Sequence, residues 1–524
     1  EQDLGDILNY KDKIMAITTD DIKRVAKKYL SDNYLALYIE KGKPDKNAKI
    51  EKPVYKPGEP PIGKESLYAT QFKNLPIGQM EEKFADYGEV QIKQLNDRSK
   101  MYYTPNKENN VFQLVVQYGA GEREFPKLGY AAQLMNNAGI MGAYEPQELK
   151  EELSKLNATC HVTADDDNLY IIMEGYEATL PQACQLLSRQ ILMPKLDEKQ
   201  LARLKGSAMG MRQQRKDNVS ILNEALRQYM LYGEKSDYIK ELTDKEIYEL
   251  QISELTGDIN RASNYEAKVF FTGTLPFDQV YDILSKNLPL VANERPSNSP
   301  QAKDMMPVTE NTVYFLPNND AEQAQIHLYI PMQKADKKDD VLRSAFNQYF
   351  GLDFTGIVLN EIREKRSMAY TAYAFVGTQG IVGKASYLRG YIGTQNDKAN
   401  DALDVLMGLV NDMPKNPERI DNIKSYLRQA MLTSHPSFRN KAMELVDLGY
   451  RGYTDDPAKE NLPKVDALTF DDIVKFYEEN IKDKPYCISI MGNPKNIDLK
   501  RLEKFGKVVK LNERKLFNTK DALF

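Results

Sequence analysis

The 524-residue chain is 41% hydrophobic and 28% charged, an ordinary balance for globular domains. The length suits roughly two to four of them. A net charge of −5 leaves no electrostatic footprint for nucleic acid, and no apolar run approaches the ~18 residues of a membrane span. Cys160, Cys184 and Cys487 lie far apart in sequence and form no CxxC, so they define neither a metal knuckle nor a disulfide framework.

In chain order, "TTDDIKRVAKKYLSDNYLALYIEKGKP" from Thr18 predicts a Thr/Asp-capped helix followed by an apolar strand. Residues 1–52 read as the helix–strand tail of a preceding domain. The Pro-rich stretch from Lys52, "KPVYKPGEPPIGKES", marks 53–82 as an extended linker. A first domain, 83–291, opens with the strand "VFQLVVQYGAG" and the helix "PKLGYAAQLMNNAG". In the later helix that ends "QLLSRQILMPK", Leu180, Cys184, Leu187 and Ile191 follow helical spacing. The domain closes with "LTDKEIYEL" and "NYEAKVFFTGTLP". A second linker, 292–307, precedes a second domain, 308–524. That domain opens with "AQIHLYIPM", repeats the Met-Pro-Lys helix end in "VLMGLVNDMPK", and closes with "LTFDDIVKFYEENIKDKPYCISIMGNP". The helix–strand copies lie about 225 residues apart, a domain length rather than a solenoid unit. The expected fold class is α+β: two homologous domains of mainly antiparallel sheet with helices packed on it, plus the tail.

Motifs for catalysis are sparse. The three histidines, His161, His327 and His435, are too scattered for a His-based zinc helix. Cys160 and His161 are adjacent, so on a strand they point to opposite faces. "TADDD", from Thr163 to Asp167, lacks the ligand spacing of a calcium loop and reads as a solvated turn. "GAGERE" is not a phosphate loop, since no lysine or Gly-rich helix start follows. One stretch stands out: "GLDFTGIVLNEIREKRSMAYTAYAF" from Gly351. It predicts a helix to about Arg366, a turn at Ser367 and Met368, and a strand. On spacing alone, Arg363 is a surface residue at a helix C-terminus and Tyr370 a half-buried strand residue.

With these motifs the chain resembles the insulinase/pitrilysin family of zinc metallopeptidases, the inverzincins. Family members carry H-x-x-E-H and a downstream Glu in a first half, and a similar second half that has lost the ligands. "GAGEREFPKLGYAAQLMNNAG" follows that frame. Its two His positions fall on Ala132 and Asn136, its Glu on Met135, and the later Glu near Gln213. The resemblance implies that this chain binds no cofactor of its own, and that zinc belongs to an N-terminal partner half carrying H-x-x-E-H. A second family motif, L-R-E-x-x-G-L-A-Y, matches "IREKRSMAY" at Arg363, Glu364, Ala369 and Tyr370, with Ser367 and Met368 replacing Gly and Leu. It implies that Arg363 and Tyr370 reach the carbonyl of a peptide substrate. Both should then face solvent rather than the domain core, with Val358, Leu359 and Ile362 buried and no carboxylate closing the pair.

The implied function is the C-terminal half of a zinc metalloendopeptidase that encloses peptides in a chamber, inactive on its own. The alternative is a non-catalytic peptide-binding or scaffold subunit of the same fold. Retention of Arg363 and Tyr370 favours the first.

Overall fold

The computed structural model describes residues 8–30, 32–38, 42, 66–76, 81–215, 218–288, 295–352 and 354–518. The chain forms two compact units, Glu1–Met80 and Glu81–Phe524.

In the smaller unit, helix α1 (Thr19–Tyr29) begins with a capping box. The Asp21 N–H donates to Thr18 Oγ1 at 3.2 Å, and the Thr18 N–H donates back to Asp21 Oδ2 at 3.1 Å. The Thr18 hydroxyl and backbone N–H, helped by Arg24, hold the Asp21 carboxyl down at about 2. Of the strand expected after α1, the described residues 32–38 form no strand, and Leu35, Leu37 and Tyr38 are exposed. A strand needs a neighbour to complete its ladder, and no strand lies among the described residues of this unit. The expected extended linker is interrupted by a short helix, Leu67–Lys73, started by Ser66, whose Oγ accepts from the Ala69 N–H at 3.1 Å. Residues 43–52, 53–65 and 77–80 of the expected tail and linker lie outside the described residues.

The larger unit is α+β, built on two six-stranded sheets. Strands β1 (Gln91–Gln94), β2 (Lys100–Pro105), β3 (Val111–Tyr118), β4 (Thr159–Ala164), β5 (Leu169–Tyr176) and β6 (Ala267–Gly273) take the order β1-β2-β6-β3-β5-β4. Strands β7 (Thr312–Pro317), β8 (Gln323–Lys334), β9 (Ala369–Thr378), β10 (Ala385–Gln395), β11 (Cys487–Gly492) and β12 (Lys507–Lys510) take the order β9-β10-β8-β11-β7-β12. Read from one edge, β4-β5-β3-β6-β2 matches β9-β10-β8-β11-β7 strand for strand. The match includes the parallel pairing of β2 with β6 and of β7 with β11. Only the sixth strands differ: β1 is antiparallel to β2, whereas β12 is parallel to β7.

The strand period sorts side chains onto two faces. In β3, Phe112, Leu114, Val116 and Tyr118 enter the main core of the first sheet, while Val115 enters a second cluster on the other side. Helices α2 (Leu128–Met135), α3 (Pro146–Lys155), α4 (Leu180–Leu192), α5 (Glu198–Gln213) and, after a gap, α7 (Ile252–Ala262) cover the main face. The predicted stripe Leu180, Cys184, Leu187 and Ile191 of α4 is buried there. In the second sheet, α8 (Asp340–Phe350), α9 (Ala399–Asn411), α10 (Ile420–Thr433) and α12 (Phe470–Asn480) do the same.

Two helices cross over. Helix α6 (Val219–Tyr232) lies in the first repeat by sequence, yet it packs on the second sheet. Its Leu222 and Leu226 meet Leu316 and Met491, and its Met230 and Leu231 meet Tyr329 and Cys487. Helix α11 (Lys441–Tyr450) does the converse: Ala442, Met443 and Val446 pack on Val115 and Phe270 of the first sheet. Burying each such leucine contributes about 1.5–3 kcal/mol. Of the expected second linker, residues 292–294 lie outside the described residues. The rest is held down: the Glu266, Asn298 and Met306 N–H groups donate to Arg295, Gly119 and Leu231 carbonyls at 2.7 Å each.

Candidate functional site

The helix carrying the zinc-motif positions is sealed. Ala132 and Met135 of α2 are buried in the first core. Asn136 caps the helix and turns its amide onto β4: its Nδ2 donates to the Val162 carbonyl at 2.8 Å, and its Oδ1 accepts from the Val162 N–H at 2.7 Å. Gln213, the last residue of α5, is exposed. None of these groups fits a zinc first shell, and among the described residues no group of three or more His, Cys, Asp or Glu side chains could hold a metal ion.

The other sequence candidates have structural surroundings. His327 of β8 is buried; burial, with Arg389 and Arg227 nearby, pushes it down to about 3. Its Nε2 lies 3.0 Å from Asn223 Oδ1, and its ring 5.1 Å from that of Tyr391. Of the "TADDD" segment, Thr163 and Ala164 end β4 and the three aspartates form a turn, in which Asp165 accepts from the Asp167 and Asn168 N–H groups at 2.8 and 2.7 Å and Arg123 pairs with Asp166 at 2.9 Å.

Glu122, beside that turn, is more unusual. Its carboxyl lies over Gly129 in the first turn of α2, where a Cβ would collide with it. Burial, reinforced by the charges of Asp166, Asp165 and Asp237, pushes it up to about 7. A carboxyl raised in the folded state binds its proton more tightly there than in the unfolded chain, where it titrates near about 4.3. Its contribution is therefore fully present below that value and is lost as pH rises to about 7. Glu122→Gln should leave unfolding at pH 4 unchanged and raise the denaturation midpoint at pH 8. Equal wild-type and mutant midpoints at pH 8 would contradict this.

Arg363 and Tyr370 come together. A helical turn, Ile357–Leu359, runs into a π-helical turn, Asn360–Glu364, with Val358, Leu359 and Ile362 buried in the second core. The Lys365 N–H donates to the Asn360 carbonyl at 2.9 Å. The wider turn sets Arg363 on the outer rim. The chain then reverses through Ser367, whose φ of 50° lies in the left-handed region. That conformation costs a non-glycine residue roughly 1 kcal/mol or more, and it is why glycine suits this position. The Ser367 N–H donates to the Arg363 carbonyl at 2.8 Å, and Thr394 Oγ1 to the Met368 carbonyl at 2.5 Å. Where β9 meets β10, Ala369 pairs with Thr394 and Thr371 with Gly393, so Tyr370 is the extra residue of a β-bulge. The bulge throws its side chain out of the ladder, leaving it 79% exposed rather than half-buried.

The Arg363 guanidinium carbon sits 5.0 Å from the Tyr370 ring centroid and 5.7 Å from that of Phe354, within cation–π range of both. A carboxylate does touch the pair, contrary to expectation: Glu364 Oε1 lies 3.4 Å from Arg363 Nε. It is more than half exposed, so this contact is worth about 0–1 kcal/mol and leaves the guanidinium's outer edge available. Phe354 was not singled out by the sequence, because its position across a loop from Arg363 has no spacing signal.

Comparison with known proteins gives likeness of family model and of fold. Residues 263–427, which include Arg363 and Tyr370, match the family model of the peptidase M16 inactive domain. The chain carries a peptidase M16 inactive domain. A solved M16 inactive domain from Pseudomonas fluorescens is similar in fold, with a TM-score of 0.61 at 16% identity, covering 78% of this chain and 99% of that one. The ferredoxin protease FusC, solved as a mutant in complex with Arabidopsis ferredoxin, gives a TM-score of 0.62 at 13% identity, over 91% of this chain and 50% of that one. The periplasmic protease PqqL from Escherichia coli gives 0.58 at 13% identity, over 93% and 52%. At these identities the likeness is one of fold. The chain thus spans about half the length of these two proteases. A comparison with curated proteins finds no match.

Proposed function

We propose that this chain is the C-terminal, non-zinc half of a zinc metalloendopeptidase that encloses peptides, and that Arg363 and Tyr370 bind the substrate carbonyl at a zinc site on an N-terminal half. The observation that carries the reading is the pairing of half-buried Arg363 with exposed Tyr370, set at the rim by a π-turn, a left-handed Ser367 and a β-bulge. A pure scaffold has no use for such a pair. The division into homologous domains at 83–291 and 308–524 belongs to the same proposal, supported by the matching strand orders.

Peptide-bond hydrolysis builds negative charge on the scissile carbonyl oxygen. A zinc ion on the partner half would supply Lewis-acid activation. This chain's own part is to present a guanidinium fork and a phenolic hydroxyl, both donors, on a rigid strand–turn frame. The ring of Tyr370 also orients the guanidinium through the cation–π contact.

The purified chain should carry no stoichiometric zinc by elemental analysis and should leave a quenched fluorogenic peptide uncut. Adding the half that carries H-x-x-E-H should produce chelator-sensitive cleavage. Metal-dependent cleavage by the isolated chain, or no gain on mixing under conditions where the halves associate, would overturn the proposal.

A further inference from the structure

Asn136 has a counterpart. Asn347 of α8 makes the same two bonds to Val376 of β9: its Nδ2 donates to the Val376 carbonyl at 3.0 Å, and its Oδ1 accepts from the Val376 N–H at 2.6 Å. Each asparagine sits on the helix that follows the matching inner strand, β3 or β8, and each reaches the matching edge strand, β4 or β9. Both target valines are buried, and the two pairs are 26 and 29 residues apart in sequence.

The bonded groups are those that an added strand would use. The Asp165 N–H donates to the Asn168 carbonyl at 2.9 Å and closes the β4–β5 hairpin. By alternation, Thr163, His161 and Thr159 face β5, while Val162 and Cys160 turn their backbone groups outward. A carboxamide on Val162 therefore reproduces, donor for acceptor, the contact a neighbouring peptide would make. On β9 the outward Ala374 N–H is also taken, by the Gly351 carbonyl at 3.1 Å.

Beside Asn136 there is room for such a neighbour. A cavity of about 580 Å³ runs along the β4 edge, lined by Met135, Asn136, Leu149, Leu153, Cys160 and Val162. It offers apolar walls and the outward backbone of Cys160. An unpaired edge beside an apolar groove is a template for an extended peptide. We propose that Asn136 and Asn347 close the β4 and β9 edges of the two sheets to strand addition by extended peptides, with Asn136 barring the cavity along β4. In a protein that handles peptides, a chain added to β4 would be held on the sheet that lacks Arg363 and Tyr370. The assignment rests on the edge geometry and is independent of any zinc-bearing half.

The test uses the full chain and a fluorescein-labelled extended hexapeptide of alternating Val and Thr. Asn136→Ala should expose the Val162 amide to hydrogen exchange and tighten peptide binding roughly tenfold, the worth of two hydrogen bonds. Adding Val162→Pro, which removes the outward N–H at an edge position that tolerates proline, should abolish that gain. Asn347→Ala is the second variant, should Asn136→Ala fold poorly, with the same gain expected at β9. Faster exchange at Val162 with unchanged peptide affinity would reduce the asparagines to local supports and overturn the proposal. So would a gain that survives Val162→Pro, or self-association of the variant without peptide binding.

Discussion

Arg363→Ala and Tyr370→Phe are each expected to lower kcat of the assembled peptidase by about 10²–10³-fold, with KM changed only a few-fold. The asymmetry follows from when the contact is made. A neutral ground-state carbonyl accepts weakly from a guanidinium and a phenol. The charge that develops in the transition state strengthens both bonds, so their loss falls on kcat. Tyr370→Phe is the cleaner change, because the ring that stacks on Arg363 stays and only the donor goes. Arg363→Lys should recover little, since an ammonium presents a point charge where a planar fork is needed. Neither change should shift the unfolding midpoint, because Tyr370 is largely exposed and Arg363 lies outside the core. Full turnover in both variants, or a loss confined to KM, would remove the pair from the reaction.

Arg212→Ala is expected to cost roughly 3–5 kcal/mol of unfolding free energy. Arg212, the neighbour of Gln213 near the end of α5, is only 4% exposed. Its Nη1 lies 2.7 Å from Asp244 Oδ1 and its Nη2 3.3 Å from Glu241 Oε2, with a further bond to the Leu242 carbonyl. It thereby ties α5 to the capped helical turn that begins at Asp244. Truncation would take a buried cation from beside Asp244, while Glu241 keeps Arg215 at 2.9 Å, and breaking a buried pair by removing one partner is the expensive outcome. Arg212→Met combined with Asp244→Leu should recover most of the loss. Urea unfolding measures both, and a single-mutant loss below about 1 kcal/mol would contradict the argument.

Much of the architecture could be read from the sequence because its signals are local. The capping box at Thr18, the stripe Leu180–Cys184–Leu187–Ile191 and the alternation in "VFQLVVQYGAG" each depend on near neighbours in the chain. Arg363 and Tyr370 could be picked out by motif, but not their setting. The π-turn, the left-handed Ser367 and the bulge at Tyr370 arise from how the helix end is stitched to β9 and β10, which no spacing encodes. Asn136 was legible as a non-ligand, whereas its bonds to Val162 depend on a strand 26 residues away. The strand expected near Tyr34 failed for the opposite reason: its pattern was right, but a pattern supplies no neighbour. The destination of α6 was equally hidden, since an amphipathic face does not say which sheet will cover it.

The crossing of α6 and α11 bears on what the repeat means. The sequence pattern alone would place a boundary at the linker 292–307, between the first pattern and the second. Cutting there would divide the chain but not the cores: the second sheet would keep a helix from the first fragment, and the first sheet a helix from the second. The unit of the sequence pattern and the self-sufficient body are therefore different objects. Either fragment on its own would have to find a substitute for the helix it lost, so each sheet depends on an arm lent by the other stretch of chain.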